Sequence, residues 1–329
     1  MDAVDALLEI ATLLERERAS RYRARAFRQA AAVLGELPTD VIADPVRLRA
    51  AKGIGSSTFE VIRQAQEGRT PDYLVELRAA VEPEHESALR RKLRGDLHSH
   101  TDWSDGTTPI EAMARTAAAL GHEYLAITDH SPRLKVARGL SPERLREQIP
   151  LVRAATRREL TVLAGIEVDI LEDGGLDQEP ELLEELDIVV ASVHSLLRMD
   201  AGPMTARMIA AVSNPHVNVL GHCTGRLVQG SRGTRPRSQF DAAAVFAACA
   251  ENGVAVEINS RPERQDPPDD LIAIALAEGC LFSIDSDAHA PGQLSLLDHG
   301  AERAEQNGVP PERIVTTWSL ERLTAWASG

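Results

Sequence analysis

Two kinds of hydrophobic spacing divide the chain near residue 95. Before that point, apolar residues recur every three or four positions, which is the period of an amphipathic helix. The spacing predicts an all-α domain over residues 1–80, with a turn between Pro38 and Pro45 and with helices at 3–14, 21–34, 56–67 and 73–81. Residues 81–94 are highly charged and lack an apolar period, so we interpret them as a linker.

After residue 95, short apolar runs alternate with alanine-rich helical segments such as 110–120, 142–158 and 240–252. The runs that we predict as strands are 95–99, 124–128, 161–168, 188–193, 217–221, 254–258 and 281–284. Regular alternation of strands and helices predicts a parallel sheet. Seven such units fit a closed α/β barrel over residues 95–329.

A pair of glycines between two predicted helices is the first candidate for a functional site. Gly53-Ile54-Gly55 precedes the helix that begins at Ser56, and such a turn lets backbone N–H groups approach a phosphate. Either a helix-hairpin-helix or an ordinary tight turn fits these glycines. The second predicted helix carries basic residues on a face of its own, which is either a phosphate-binding row or a solvated face: Arg21, Arg25 and Arg28.

The charge of the chain is unevenly distributed. The formal net charge is −14, and residues 1–94 carry 16 basic against 15 acidic side chains, whereas residues 95–329 carry 20 against 35. The acidic second part argues against a broad nucleic-acid surface there. The sequence contains no stretch of about 18 apolar residues, so we expect no membrane span. Three cysteines without Cys-X-X-Cys spacing, and an acidic N-terminus unlike a signal peptide, favour a reduced, cytoplasmic protein.

Imidazoles and carboxylates cluster where the predicted strands end. His98 and His100 are two residues apart, so both point to the same side of a strand. Six of the 10 histidines lie at these ends, namely His98, His100, His130, His194, His222 and His289. Carboxylates also lie at or beside these ends, namely Asp105, Asp129, Glu167, Asp169, Glu257, Asp285 and Asp287. A parallel barrel gathers all strand carboxyl ends on one face, and imidazole with carboxylate favours Zn²⁺, Mn²⁺ or Fe²⁺.

These motifs resemble those of the PHP (polymerase and histidinol phosphatase) superfamily. The matching segments are His98-Ser99-His100, Thr128-Asp129-His130, Glu167, His194, Gly221-His222 and Ser286-Asp287-Ala288-His289. The resemblance implies a distorted (β/α)7 barrel with a cluster of three divalent metal ions. The segments 134–141, 221–227 and 257–262 are similar to the PHP domain of bacterial family X DNA polymerases, and 23–30 and 53–55 are similar to their helix-hairpin-helix domain.

Two departures from those polymerases limit the expected activity. Only residues 81–94 join the two regions, where the polymerases carry a palm and further subdomains, so no polymerase active site is expected. The predicted helix over 56–67 contains no lysine, so we expect no Schiff-base 5′-deoxyribose-phosphate lyase activity there.

The resemblance implies three metal sites. The first would take His98, His100, Glu167 and Asp287. The second would share Glu167 and take His194 and His222, and the third would take Asp105, His130 and His289. Some members have histidine where this chain has Asp105, and a carboxylate favours Mn²⁺ or Fe over Zn²⁺. Three further carboxylates either orient the imidazoles or are solvated: Asp129, Asp169 and Asp285.

Basic residues in the strand-end loops are candidates for holding the remaining phosphate charge, and the alternative for each is a surface ion pair. Arg226 is the first choice because it follows His222 by four residues and because arginine binds phosphate through two donors. We therefore expect catalytic roles for Arg226 and Lys135. The full set of expected substrate contacts is Lys135, Arg138, Arg226, Asn259 and Arg264.

The expected function is metal-dependent hydrolysis of phosphate esters in DNA. Attack by a metal-bridging hydroxide would cleave the ester, and the activity would be a 3′→5′ exonuclease or a 3′-end phosphatase in DNA repair. The N-terminal helices would grip the DNA backbone without reading its sequence. Two alternatives remain open, a small-molecule phosphatase of the histidinol-phosphate type and a non-catalytic DNA-binding protein.

Overall fold

The computed structural model describes residues 2–17, 21–80, 87–230 and 233–329. The described residues form two compact units. One consists of residues 2–17 and 21–80 with Pro291–Gln293, and the other consists of residues 87–290 and 294–329. No helix within these ranges combines the length and the apolar character that a membrane crossing requires.

The first unit is all-helical. Its helices are α1 (Ala3–Arg16), α2 (Arg21–Glu36), α3 (Thr39–Ala43), α4 (Pro45–Ala50), α5 (Ser56–Gln66) and α6 (Asp72–Ala80). Leu7, Ile10, Phe27, Ile62 and Leu74 are buried in its core, which removes apolar surface that single helices cannot hide.

The segment after Pro38 differs from its predicted turn. It forms the short helices α3 and α4, and Asp44 caps α4 by accepting hydrogen bonds from the N–H groups of Val46 and Arg47 at 2.9 and 3.2 Å. Pro45 occupies the first position of α4, where its missing N–H costs nothing and its fixed φ suits a helix.

The second unit is a nearly closed barrel of seven parallel strands surrounded by helices. Its strands are β1 (Gly95–Asp96), β2 (Tyr124–Ile127), β3 (Thr161–Asp169), β4 (Ile188–Ser192), β5 (Val219–Leu220), β6 (Ala255–Asn259) and β7 (Leu281–Asp285). Its helices are α7 (Ile110–Ala119), α8 (Pro142–Ala154), α9 (Pro180–Leu183), α10 (Ala201–Val212), α11 (Ala242–Glu251), α12 (Asp269–Ala277), α13 (Leu297–Gln306) and α14 (Leu320–Ala327).

The strands pair in the order in which they occur in the chain, so each crossover leads to the adjacent strand. Beyond the ends of β1 and β7, Ser99 pairs with Ala288, and the His100 N–H donates to the Ala288 carbonyl at 2.7 Å. This pairing brings the first and last strand ends together. The predicted (β/α)7 barrel with a preceding helical domain is therefore confirmed.

The amino ends of the strands are covered by the segment that precedes α14. Val315 and Trp318 are buried with Leu97 and Tyr124 in one apolar cluster. The Tyr124 hydroxyl contacts the carbonyl oxygens of Val315 and Trp318 at 3.3 and 3.1 Å. The carboxyl ends of the strands, where the candidate ligands lie, are thus at the opposite end of the barrel.

Candidate metal centre

The structure brings all nine predicted ligands together at the carboxyl ends of the strands. His98 and His100 follow β1, His130 follows β2, and Glu167 lies within β3. The remaining ligands come from the β1–α7 loop and from the segments after β4, β5 and β7, namely Asp105, His194, His222, Asp287 and His289. Most of these side chains are buried, while Asp105 remains partly exposed.

Glu167 stands between four imidazoles. Its Oε2 lies 3.3 Å from His98 Nε2 and 2.9 Å from His130 Nδ1. Its Oε1 lies 3.2 Å from His194 Nε2 and 2.9 Å from His222 Nε2. Neither carboxylate oxygen has a hydrogen-bond partner of acceptable geometry among the described residues.

A second set of contacts surrounds Asp287 and Asp105. Asp287 Oδ1 lies 3.5 Å from His100 Nε2 and 3.4 Å from His289 Nδ1. Asp105 Oδ1 lies 3.2 Å from His289 Nε2 and 3.5 Å from His130 Nε2. His130 therefore lies near both Asp105 and Glu167, and links the two sets.

The residues fit divalent metal ions. Two ligand atoms that each lie about 2.0–2.2 Å from one ion are about 3.0–3.5 Å apart, close to the separations around Glu167, Asp287 and Asp105. Buried atoms that lack hydrogen-bond partners among the described residues include His98 Nε2, His100 Nε2, Asp105 Oδ1 and both Glu167 oxygens. Burying such groups costs several kcal/mol unless a cation compensates them.

The ligand atoms form four overlapping groups rather than three separate ones. The groups are His98, His100 and Asp287; His98, Glu167 and His222; His130, Glu167 and His194; and His100, Asp105, His130 and His289. The predicted division among three metal sites therefore stays a prediction.

Burial and neighbouring charges set the protonation of two ligands. Burial, together with the charges of His289 and His130, lowers the pKa of the His100 imidazole to about 3. Its ring is therefore neutral, as metal binding requires. Burial opposes ionisation of Asp287, but the charges of Arg264 and Arg261 hold the pKa of that carboxyl well below its usual range.

Carboxylates behind the ligands orient two of the imidazoles. Glu257 Oε1 lies 2.6 Å from His98 Nδ1, and Glu257 Oε2 accepts the backbone N–H of His222. Asp169 Oδ1 lies 3.2 Å from His194 Nδ1 and accepts the His194 N–H at 3.1 Å. Such contacts fix the ring orientation and raise ligand basicity. Sequence reasoning gave this role to Asp169 but not to Glu257, which it named only at the end of a predicted strand.

The other two predicted orienting groups, Asp129 and Asp285, hold neighbouring segments. Asp129 accepts hydrogen bonds from the Thr101 N–H at 2.8 Å and from Gln148 Nε2 at 2.6 Å. Asp285 accepts the Leu97 N–H at 2.8 Å. Among the hydrogen bonds that the structure describes, neither carboxylate has an imidazole partner.

The substrate-contact candidates near Asp287 differ from the expected order. Arg226 donates from Nε to the Arg264 carbonyl at 3.0 Å and from Nη2 to the Gln265 carbonyl, so it supports the loop after β6. Arg264 Nε instead donates to Asp287 Oδ2 at 3.0 Å. The Asn259 amide nitrogen also lies 3.2 Å from that Asp287 oxygen.

Arg261 is a further buried cation that sequence reasoning quoted only as part of a motif. Its Nη1 donates to the Asp287 carbonyl at 3.1 Å and lies 3.1 Å from His289 Nδ1. An arginine two positions beyond the inward-facing Asn259 was the available signal, since side chains at alternate strand positions share a face.

The loop after β2 carries the two remaining candidates. Arg138 has a left-handed φ of 57°, and its Nη2 donates to the carbonyl oxygens of Asp102 and Ser104. Lys135 is exposed, and its ammonium group has no partner within the described ranges.

Two family models match the chain. The PHP domain model matches residues 96–261, and the helix-hairpin-helix domain model matches residues 1–70. The chain belongs to the PHP family. The first match alone covers half of the sequence and includes seven of the nine clustered ligands.

Curated relatives of the chain carry two kinds of name. The chain is 35% identical over 237 residues to "DNA polymerase/3'-5' exonuclease PolX" of Bacillus subtilis, a match that covers 71% of this chain and 41% of the relative. It is 29% identical over 237 residues to a "Probable phosphatase" of Acetivibrio thermocellus, covering 69% and 92%. The chain thus spans less than half the length of the first relative and nearly all of the second.

The solved structures that match include a histidinol phosphate phosphatase from Lactococcus lactis in complex with zinc, L-histidinol and phosphate. The match has 18% identity and a TM-score of 0.48, and it covers 65% of this chain and 94% of that chain.

The hairpin of the helical unit has the geometry that its glycines predict. Gly53 has a left-handed φ of 98°, and a Cβ atom there would lie 3.0 Å from Val33 Cγ2. Gly55 precedes α5, and Thr58 Oγ1 accepts the Gly55 N–H at 2.9 Å. The N–H groups of the first turn of α5, which begins at Ser56, therefore face out of the turn beside a cleft of about 700 Å³.

Only part of the predicted basic row of α2 is available to bind a phosphate. Arg28 is half-buried and forms an ion pair with Glu15 at 2.5 Å, so its charge is used inside the helical unit. Arg25 is exposed and has no hydrogen bond or ion pair with the described residues. The side chain of Arg21 lies outside the described part of the structure.

Proposed function

We propose that the chain, a metal-dependent phosphoesterase of the PHP family, cleaves phosphate esters at DNA ends, either as a 3′→5′ exonuclease or as a 3′-end phosphatase in DNA repair. The observation that carries the proposal is the pairing, in one chain, of a nine-ligand cluster with a helix-hairpin-helix domain. A small phosphate ester would need only the first of these two parts. The name of the Bacillus subtilis relative, which includes a 3′-5′ exonuclease, supports the same substrate.

In this proposal the nine clustered residues hold up to three divalent ions, Zn²⁺, Mn²⁺ or Fe²⁺. Bound ions of this kind neutralise phosphate charge and activate a water molecule. Glu167 would compensate the positive charge at the centre, because both of its oxygens face imidazole ligands. Glu257 and Asp169 would keep His98 and His194 in the orientation that ligation requires.

Arg264 is the best candidate for a direct contact to the substrate phosphate. Its Nε is bound to Asp287, but neither of its Nη atoms has a partner among the described residues. A guanidinium fixed in this way offers two donors to a phosphate oxygen with little loss of side-chain entropy. Arg226 would act indirectly, by holding the loop that carries Arg264. Lys135 is exposed on the loop after β2, five residues beyond His130, and would contact only a longer substrate.

The helix-hairpin-helix domain, residues 1–80, would bind the DNA backbone, and residues 81–94 would link it to the PHP domain at 95–329. The N–H groups at the start of α5, next to Gly53 and Gly55, would bind a phosphate. Arg25 would add a positive charge on α2. Arg28 is omitted because Glu15 already neutralises it.

The second candidate is a phosphatase for small phosphate monoesters. It is favoured by the "Probable phosphatase" relative, which the match covers over 92% of its length. It would require the same ligands and would leave the N-terminal domain without a substrate role.

A substrate panel on the full chain separates these candidates. The panel contains 3′-recessed DNA, DNA with a 3′-phosphate, histidinol phosphate and p-nitrophenyl phosphate, with metal content measured in parallel. We expect turnover of DNA ends by the wild type and loss of both metal and turnover in the His98→Ala/His100→Ala double variant. Turnover of histidinol phosphate without turnover of DNA would overturn the DNA proposal, and equal activity of the double variant would overturn the metal-dependent mechanism.

A further inference from the structure

A pocket of about 340 Å³ lies between two loops at the carboxyl end of the barrel. One loop joins β4 to α10 and contributes Leu197, Arg198 and Met199. The other joins β5 to α11 and contributes Arg235, Pro236 and Arg237. A volume of this size is at the lower end of the range for small-molecule sites and suits one nucleotide.

The pocket is basic within an acidic domain. Three arginines line it, and no carboxylate is among its described lining residues, although residues 95–329 carry 35 acidic against 20 basic side chains. Arg237 forms an ion pair with Asp270 at 2.6 Å. Arg198 is exposed and has no ion pair or hydrogen bond within the described ranges. Such a local reversal of charge attracts anions.

The pocket is built directly onto the strand ends that carry metal ligands. Its first loop follows His194, and its second loop follows His222. Between the loops, Ser238 Oγ donates to the Leu197 carbonyl at 2.8 Å, and the Ser238 N–H donates to the Thr224 carbonyl at 2.9 Å. The second loop of the pocket is therefore hydrogen-bonded to Thr224, two residues after the predicted metal ligand His222.

Hydrogen bonds fix the first loop in one conformation. The buried Arg207 of α10 donates from Nη1 to the Ser195 carbonyl at 2.9 Å, and the Met199 N–H donates to the Leu196 carbonyl at 2.9 Å. Leu196 has a left-handed φ of 53° and is 52% exposed. A non-glycine residue held in this conformation with its apolar side chain in solvent indicates that the surroundings impose the loop shape.

We propose that this pocket is a nucleotide subsite, which binds the nucleotide next to the phosphate that is hydrolysed. Arg198 binds the backbone phosphate of that nucleotide, and Leu197, Met199 and Pro236 provide an apolar surface for its base. Neither apolar contact with the face of a base nor a phosphate contact depends on which base is present, so the subsite selects nucleic-acid strands over small phosphate esters without reading sequence. The inference rests on the proposed function and locates its substrate specificity within the PHP domain.

The test compares Arg198→Ala with a matched control, Arg158→Ala. Arg158 is also an exposed arginine, but it precedes β3 at the opposite end of the strand. For each full-length variant, kcat and KM are measured on p-nitrophenyl phosphate and on a single-stranded oligothymidylate, and oligothymidylate binding is measured by fluorescence anisotropy over a range of salt concentrations.

We expect Arg198→Ala to raise the KM and Kd for the oligonucleotide about fivefold to tenfold and to leave p-nitrophenyl phosphate turnover unchanged. Losing one phosphate contact also reduces the slope of log Kd against log salt by about 0.7 for a single strand. Arg158→Ala should match the wild type in every assay.

Equal oligonucleotide binding and equal salt slopes for the two variants would overturn the subsite, even if the wild type hydrolyses DNA. A wild type that hydrolyses p-nitrophenyl phosphate but neither binds nor hydrolyses the oligonucleotide would overturn the proposed function and the subsite together. Parallel loss of p-nitrophenyl phosphate turnover in Arg198→Ala would also count against the subsite, because it would show damage to the metal centre.

Discussion

Glu257→Gln is a sharp test of how the metal ligands are oriented. Glu257 accepts hydrogen bonds on both oxygens, from the His98 ring at Oε1 and from the His222 N–H at Oε2. Glutamine has the same shape but only one oxygen. Whichever way its amide turns, its NH₂ group must face one of these two donors, so one buried hydrogen bond becomes a repulsive contact.

The expected loss follows from that geometry. One buried donor left without an acceptor costs about 1–3 kcal/mol. Because a tenfold change in affinity corresponds to about 1.4 kcal/mol, metal affinity should fall about 10-fold to 100-fold. The loss of kcat/KM should be similar at limiting metal and should be largely reversed at saturating metal.

The measurement is a metal titration against a chromophoric chelator, combined with kcat/KM on p-nitrophenyl phosphate at several metal concentrations. Asp129→Asn is the matched control, because it also neutralises a buried carboxylate, one that binds Thr101 and Gln148. Both variants should lower the free energy of unfolding, but only Glu257→Gln should lower metal affinity. Unchanged metal affinity in Glu257→Gln, or an equal loss in Asp129→Asn, would refute the orienting role.

Three further outcomes follow from the structure. Chelation should lower the thermal midpoint by several degrees, because the two buried Glu167 oxygens, which have no hydrogen-bond partner among the described residues, then lose the metal ions beside them. Metal at 100 times its Kd should restore about 2.7 kcal/mol of unfolding free energy. An unchanged midpoint in calorimetry would contradict this. Arg264→Ala should reduce kcat/KM for phosphate esters about 10-fold to 100-fold while metal content stays the same. Arg264→Lys should recover only part of this loss. Wild-type kinetics in the alanine variant would exclude a phosphate contact. Gly53→Ala should destabilise the helical unit by about 1 kcal/mol or more, because its φ of 98° is left-handed and Val33 crowds the new methyl group; denaturant unfolding that matches the wild type would contradict the strain.

The barrel fold and the clustering of histidines at the strand ends were predictable from the sequence because both depend on local patterns, whereas the choice of the nine ligands came from the resemblance to the PHP superfamily. Short apolar runs that alternate with helical segments predict a parallel barrel, and this prediction requires no knowledge of the contacts between distant residues. The topology then places every strand carboxyl end on one face, so residues as distant as His98 and His289 were grouped without knowledge of a single distance.

The pairing of individual charges depended on contacts that no local pattern encodes. Arg226 is close to a ligand in sequence, yet its guanidinium binds the Gln265 carbonyl. Arg28 sits on a basic helical row, yet Glu15 of another helix neutralises it. Glu257 shares a strand face with Asn259, but its role depends on a contact with His98, 159 residues away, that the local pattern does not indicate.

The closure of the barrel has a consequence for synthesis of the protein. Asp285 accepts the N–H of Leu97 across a separation of 188 residues, and Ser99 pairs with Ala288 beside it. Contacts between such distant residues form late, since a long loop must be ordered before they are made. On a translating ribosome, His98 and His100 emerge long before Asp287 and His289. We therefore expect the metal centre to be completed at the end of folding. A nascent chain that stalls ahead of β7 would carry seven of the nine predicted ligands and would lack Asp287 and His289.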